Sequence, residues 1–96
     1  MYSKSTATIT SILEAAQRLF LQKNYADVTM GEIAQAARVT KGALYHHFRS
    51  KRALGHAVVT ELLGGHIQQF ARTLEAAPDP IAALRGWLGA NGGARA

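Results

Sequence analysis

The sequence predicts an all-α fold: three helices arranged as a helix-turn-helix domain, then a long fourth helix and the start of further helical structure. Two observations carry that reading. Apolar residues recur three and four positions apart through most of the chain, the spacing of one helical face. Thr29, Thr40 and Ser50 each stand just before such a run, where a hydroxyl can satisfy the free amides of a helix start.

The first helix places Ile9, Ile12, Leu13, Ala16, Leu19 and Phe20 on one face, with Glu14, Gln17 and Arg18 pointing away. Ser5 to Thr8 offer N-caps, and Asn24 after Lys23 reads as a left-handed C-terminal residue. Thr29-Met-Gly-Glu32 fits a capping box and opens a short second helix through Ile33, Ala34 and Ala37. Val39 is the apolar residue of the turn, and Thr40 caps the third helix. That helix buries Leu44 and Phe48 and leaves Lys41, Gly42, Tyr45 and His46 facing outward.

Ser50 caps the long fourth helix, along which lie Leu54, Ala57, Val58, Glu61, Leu62, Ile67, Phe70 and Leu74. Gly64-Gly65 conflicts with it, at a cost of roughly 1 kcal/mol per glycine relative to alanine. A kink, a close helix crossing and a division into two helices all fit. Pro78-Asp79-Pro80 ends the run, and residues 81–88 restart an apolar helix. The tail from Gly89 to Ala96 has no apolar periodicity and is expected to be disordered. The domain division is then 1–55 for the helix-turn-helix domain, with its motif over 29–48, 56–88 for the connecting helix and the start of a further helical domain, and 89–96 for the tail.

Composition narrows the function. The chain has 96 residues, enough for one domain that is only marginally able to bury its own core. It has no cysteine, which excludes disulfides and thiolate-held metals and suits a reducing compartment. No secretory signal is visible, and Glu14, Gln17 and Arg18 interrupt the first apolar helix as a signal or membrane span would not. The net charge of +5 is unevenly placed. Residues 1–55 hold eight lysines and arginines against three acids, whereas residues 56–96 balance three against three. The excess lies with the helix-turn-helix pattern, the electrostatic footprint of a nucleic-acid binder; an ordinary solvated surface accounts for charge alone equally well.

A duplex major groove admits one α-helix, and the side chains near that helix's N-terminus read the base edges. The third helix suits this. Gly42 lets backbone approach DNA, and Tyr45 can donate its hydroxyl to a phosphate, although its ring could instead pack on the first helix. Lys51 brings a cation near the sugar-phosphate chain, and the capping hydroxyls of Thr29 and Thr40 can also reach phosphates. Lys41, Ala43 and His46 are the candidate readers of base identity. His46 and His47 diverge by about 100° on a helix and make a poor metal pair. His56 and His66 read as surface or core residues, and Trp87 as core or interface. With no paired carboxylates near histidine and no H-x-x-x-H spacing, no enzyme, metal or cofactor is expected.

The stretches from Ile12 to Phe20, from Val28 to Ala34 and from Val39 to Leu54 together closely resemble the DNA-binding domain of TetR-type transcriptional regulators. The resemblance covers residues 8–60 with its spacing intact. It implies phosphate contacts by Thr29, Thr40, Tyr45 and Lys51, backbone approach at Gly42, and contacts in or beside the groove from Lys41, His46 and His47. It further implies a cytoplasmic, nucleoid-associated repressor that binds double-stranded DNA as a homodimer on a near-palindromic operator and responds to an unidentified inducer. Asn24 stands where the family usually has glycine, which asparagine's left-handed tolerance permits. Such regulators carry a longer all-helical C-terminal domain for inducer and dimer, of which residues 78–96 would supply only the opening. The Gly-rich ending therefore reads as a truncated, frameshifted or fragmentary chain. An interaction module that pairs with a full-length relative and modulates its DNA binding is the alternative function.

Overall fold

The computed structural model describes residues 4–89. These form α1 (Lys4–Gln22), α2 (Met30–Ala37), α3 (Lys41–His47), α4 (Lys51–Leu63), α5 (Ile67–Ala76) and α6 (Pro80–Leu88), with short 3₁₀ turns at Tyr25–Asp27 and Gly64–His66. Among the described residues there is no strand. Residues 90–96 of the expected tail lie outside them.

Caps explain where most helices begin. Glu32 N donates to Thr29 Oγ1 at 3.1 Å while Thr29 N donates to Glu32 Oε1 at 3.0 Å, the reciprocal pair of a capping box. Ala43 N donates to Thr40 Oγ1 and Ala53 N to Ser50 Oγ, each at 3.0 Å. At α6, Asp79 Oδ1 accepts from Ile81 N and Ala82 N, both at 3.0 Å. Pro80 takes the first helical position, where its missing N–H has no helical partner to lose.

Two local expectations are corrected, and one that was left open is decided. Ser5 to Thr8 are not caps, because α1 already begins at Lys4 and runs through them. Asn24 is extended, at φ −62° and ψ 141°, since the chain passes from α1 straight into the Tyr25–Asp27 turn with no left-handed step. The left-handed residue is Arg38, at φ 61° and ψ 42°. Its N–H reaches the Ala34 and Gln35 carbonyls and closes α2 within a single residue, against the steric cost of its Cβ. The long fourth helix is two helices. Gly64 takes φ 54° and ψ −117°, a conformation that side chains disfavour, so α4 stops there and α5 starts afresh.

One apolar cluster joins all six helices of the described residues. Ile12, Ala16 and Phe20 of α1 meet Ile33 and Ala34 of α2, Leu44 of α3 and Leu54 and Val58 of α4. Phe70, Leu74, Ile81 and Leu84 extend the cluster into α5 and α6. Full burial of the valine, leucine, isoleucine and phenylalanine side chains among them contributes about 1.5–3 kcal/mol each. The buried stripe of α4 runs through Leu54, Val58, Val59 and Leu63, and Leu62, one position from Leu63, is left 46% exposed. Phe48 is half-buried, packing on the cluster from the end of α3.

α6 lies against α4 because Gly55 has no side chain. A Cβ there would stand 2.8 Å from Pro80 Cγ and 3.2 Å from Tyr25 Cε1. Arg52 ties down the same corner, its Nε donating to the Ala77 carbonyl at 2.9 Å and its Nη2 to the Glu75 carbonyl. These carbonyls close α5 and lack helical partners, so a cation suits them.

Candidate nucleic-acid interface

The turn between α2 and α3 is Arg38, Val39 and Thr40. Val39 N donates to the Ala34 carbonyl at 3.0 Å, and its side chain packs on the core. Leu44 is fully buried and fixes which side of α3 faces inward. Lys41, Gly42, Tyr45 and His46 are consequently exposed, with Ala43 and His47 half-buried beside them. Tyr45 is 47% exposed, which leaves its ring accessible on this face. His46 and His47 have ring centroids 5.0 Å apart, set edge to face at 78°. Among the described residues no group of three or more His, Asp or Glu could hold a metal ion.

Two glycines frame the surface in different ways. At Gly31 a Cβ would lie 3.4 Å from Lys41 Cε and 3.9 Å from Thr29 Oγ1. The Lys41 stem therefore runs across the first turn of α2, its Nζ lying 4.0 Å from the same point. At Gly42 a Cβ would meet only Thr40 Oγ1, at 3.8 Å, an ordinary contact. Nothing within the folded chain needs a glycine there, although glycine in a helix costs about 1 kcal/mol relative to alanine.

The cations divide into occupied and available ones. Lys51 Nζ donates to the Tyr25 carbonyl at 2.8 Å and the Ala26 carbonyl at 3.4 Å, and stands 4.4 Å from the Tyr25 ring centroid. Its ammonium has three N–H donors, so holding this turn leaves one for a phosphate. Glu32 is the single acid between residues 28 and 54, and Lys23 Nζ covers it at 2.7 Å. The Lys23 hydrogen bond, followed by the Thr29 backbone amide, holds the Glu32 carboxyl below its ordinary range. The one negative charge in the segment is thus compensated beside the exposed face of α3.

All nine candidate contact residues fall in the two capped starts and on α3 or the first turn of α4. Sequence reasoning passed over Gly31, Lys23, Arg52 and Gly55. Their partners are distant along the chain, 25 positions between Arg52 and Ala77 for example, so local pattern carries no trace of them. Gly31 was the legible exception: a glycine inside a capping box, where a helix former would ordinarily stand.

The family model described as "Bacterial regulatory proteins, tetR family" matches residues 12–58. The chain is 38% identical over 80 residues to the HTH-type transcriptional regulator TtgR of Pseudomonas putida, covering 81% of this chain and 38% of that one. With the HTH-type transcriptional regulator AcrR of Shigella flexneri it shares 40% identity over 76 residues, covering 77% of this chain and 35% of the relative. Among solved structures, native NalD, the secondary repressor of the MexAB-OprM multidrug efflux pump in Pseudomonas aeruginosa, superposes with a TM-score of 0.62 at 34% identity. That match covers 88% of this chain and 42% of NalD. The chain spans well under half the length of these relatives. The matched segment contains the capping box, the turn and α3, and the chain belongs to the tetR family of bacterial regulatory proteins.

Proposed function

We propose that this chain binds double-stranded DNA in a sequence-dependent manner by setting α3 into the major groove, and that it regulates transcription by occupying an operator. The observation that carries this reading is Gly42: an exposed helical glycine that no intramolecular contact requires, on a face with Lys41, Tyr45 and His46. Missing side chains cost helix stability but allow backbone to approach a ligand closely. Thr29, Thr40 and Tyr45 then hold phosphates, as does the free donor of Lys51, while Lys41, Ala43, His46 and His47 meet base edges or groove walls.

Repression is the favoured mode because NalD, which shares the fold, is a repressor by its description. Two copies on a near-palindromic operator, with an inducer altering their spacing, fit the family's pattern, and a role on the chromosome places the protein at the nucleoid in the cytoplasm. A lone module buries only about 600–1,000 Å² of protein surface on DNA, which favours weak, salt-sensitive half-site binding by a single copy.

Selection from a random duplex library on the 96-residue chain, with winners retested across salt concentrations, tests the reading. An enriched two-fold symmetric site supports a dimeric operator binder, and an enriched asymmetric site supports a single reading head. Binding without any sequence enrichment would overturn base reading by α3.

A further inference from the structure

Gly31 lies in the first turn of α2 without a positive φ, so its backbone does not call for glycine. Glycine there weakens the helix relative to alanine. The place of its side chain is taken by Lys41: a Cβ would stand 3.4 Å from Lys41 Cε and 4.0 Å from Lys41 Nζ. An alanine methyl would just touch the lysine, and a larger side chain would compete with it for the same space.

Charge does not account for this placement. Glu32, the one acid between residues 28 and 54, is engaged on both oxygens, Oε2 by Lys23 Nζ at 2.7 Å and Oε1 by the Thr29 amide at 3.0 Å. The first turn of a helix is also its positive end, which disfavours a cation. What remains is packing of the lysine's methylene stem on bare backbone. Lys41 is the first residue of α3. Its charge rides on a flexible four-carbon stem, and ordering such a stem on binding weakens affinity. A stem already laid against α2 has lost part of that freedom before DNA arrives.

We propose, on the reading of α3 as the groove helix, that Gly31 is a positioning residue for Lys41. By leaving room for the stem it fixes the direction from which the ammonium meets DNA, and so sets the base preference at one position of the site. Gly31 acts here only through Lys41.

The test is a double-mutant cycle on the full chain, with Gly31→Val and Lys41→Ala made singly and together, and Gly31→Ala as the conservative variant. Each is titrated on the duplex that the unsubstituted chain selects, on that duplex with each base pair changed in turn, and on random duplex. Valine's two branches at Cβ are stiff and fill the space over α2. Gly31→Val should weaken binding to the selected duplex about 2- to 10-fold, the effect of having to order one long side chain. It should relax the preference at the same position as Lys41→Ala, and leave binding to random duplex unchanged because the charge is retained. Gly31→Ala should keep the preference. In the Lys41→Ala background Gly31→Val should have no further effect, an outcome that unfolding cannot produce. Equal effects of Gly31→Val with and without Lys41→Ala overturn the proposal and leave the reading of α3 intact. So does relaxation at a different base position. Failure of the unsubstituted chain to select any duplex removes the reading of α3 first, and the proposal with it.

Discussion

Replacing Gly55 by alanine tests whether α6 is held on the helix-turn-helix domain by close backbone packing. The new Cβ would be 2.8 Å from Pro80 Cγ and 3.2 Å from Tyr25 Cε1, and neither neighbour yields readily. Pro80 is a buried ring whose preceding Asp79 is held by two cap hydrogen bonds. Tyr25 is pinned between the Phe20 ring, 5.3 Å away, and the Lys51 ammonium. Overpacking of this kind costs about 1–3 kcal/mol. The substitution also removes a helical glycine, which offsets about 1 kcal/mol.

Gly86→Ala isolates the packing cost. Gly86 is exposed within α6, with nothing within 4 Å of its would-be Cβ, so alanine there should stabilise by roughly 0.5–1 kcal/mol. The two variants differ only in what the new methyl meets, so their stabilities should differ by about 1–3 kcal/mol. In a domain of this size each 1 kcal/mol shifts the Tm by about 4–8 °C, which separates the variants by roughly 4 °C or more. Thermal unfolding followed by circular dichroism reads the difference. Equal Tm values would mean that Pro80 and Tyr25 give way freely, and that α6 is not set by this contact.

The interface makes opposed demands on one residue: Gly42→Ala should raise stability by up to about 1 kcal/mol while weakening DNA binding, and a variant that binds as tightly as the original would remove the argument for close backbone approach. Tyr45→Phe should weaken binding to every duplex alike with the salt slope unchanged, whereas Lys41→Ala should reduce that slope by about one and relax the preference at one base position, both read in titrations at several salt concentrations. Equal effects of the two on selected and random duplexes would dissociate Lys41 from base reading. Because the Glu32 carboxyl titrates below its ordinary 4.5 in the fold, its ion pair stabilises at higher pH and is lost as pH falls through the depressed folded value. Glu32→Gln retains the capping-box geometry but cannot titrate, so its Tm should fall less steeply with acid than that of the unsubstituted chain; identical acid limbs would rule out this contribution.

The legible parts of the molecule were those written locally. Thr29, Thr40 and Ser50 were readable as caps because a cap bonds an amide only three residues ahead. The exposed side of α3 followed from Leu44 and Phe48, since two apolar positions four apart orient every other residue of so short a helix. The chain ends of helices read less well. Asparagine's tolerance of the left-handed region suggested Asn24, but the chain needed that conformation at Arg38, where α2 has to turn at once into Val39 and Thr40. At Gly64-Gly65 the sequence permitted a kink, a crossing or a break, and the packing of α5 and α6 onto the core selected the break.

By itself the sequence determined the all-α class, the capped starts of α2, α3 and α4, and the polar face of α3, because each depends on residues within about one helical turn of each other. Only the tertiary structure decided that Lys51 spends two of its three donors on the Tyr25–Asp27 turn, that Lys41 lies over Gly31, and that Gly55 lets Pro80 and Tyr25 close on α4. Such pairings depend on how helix faces meet, and spacing along the chain says which residues share a face but not which faces touch.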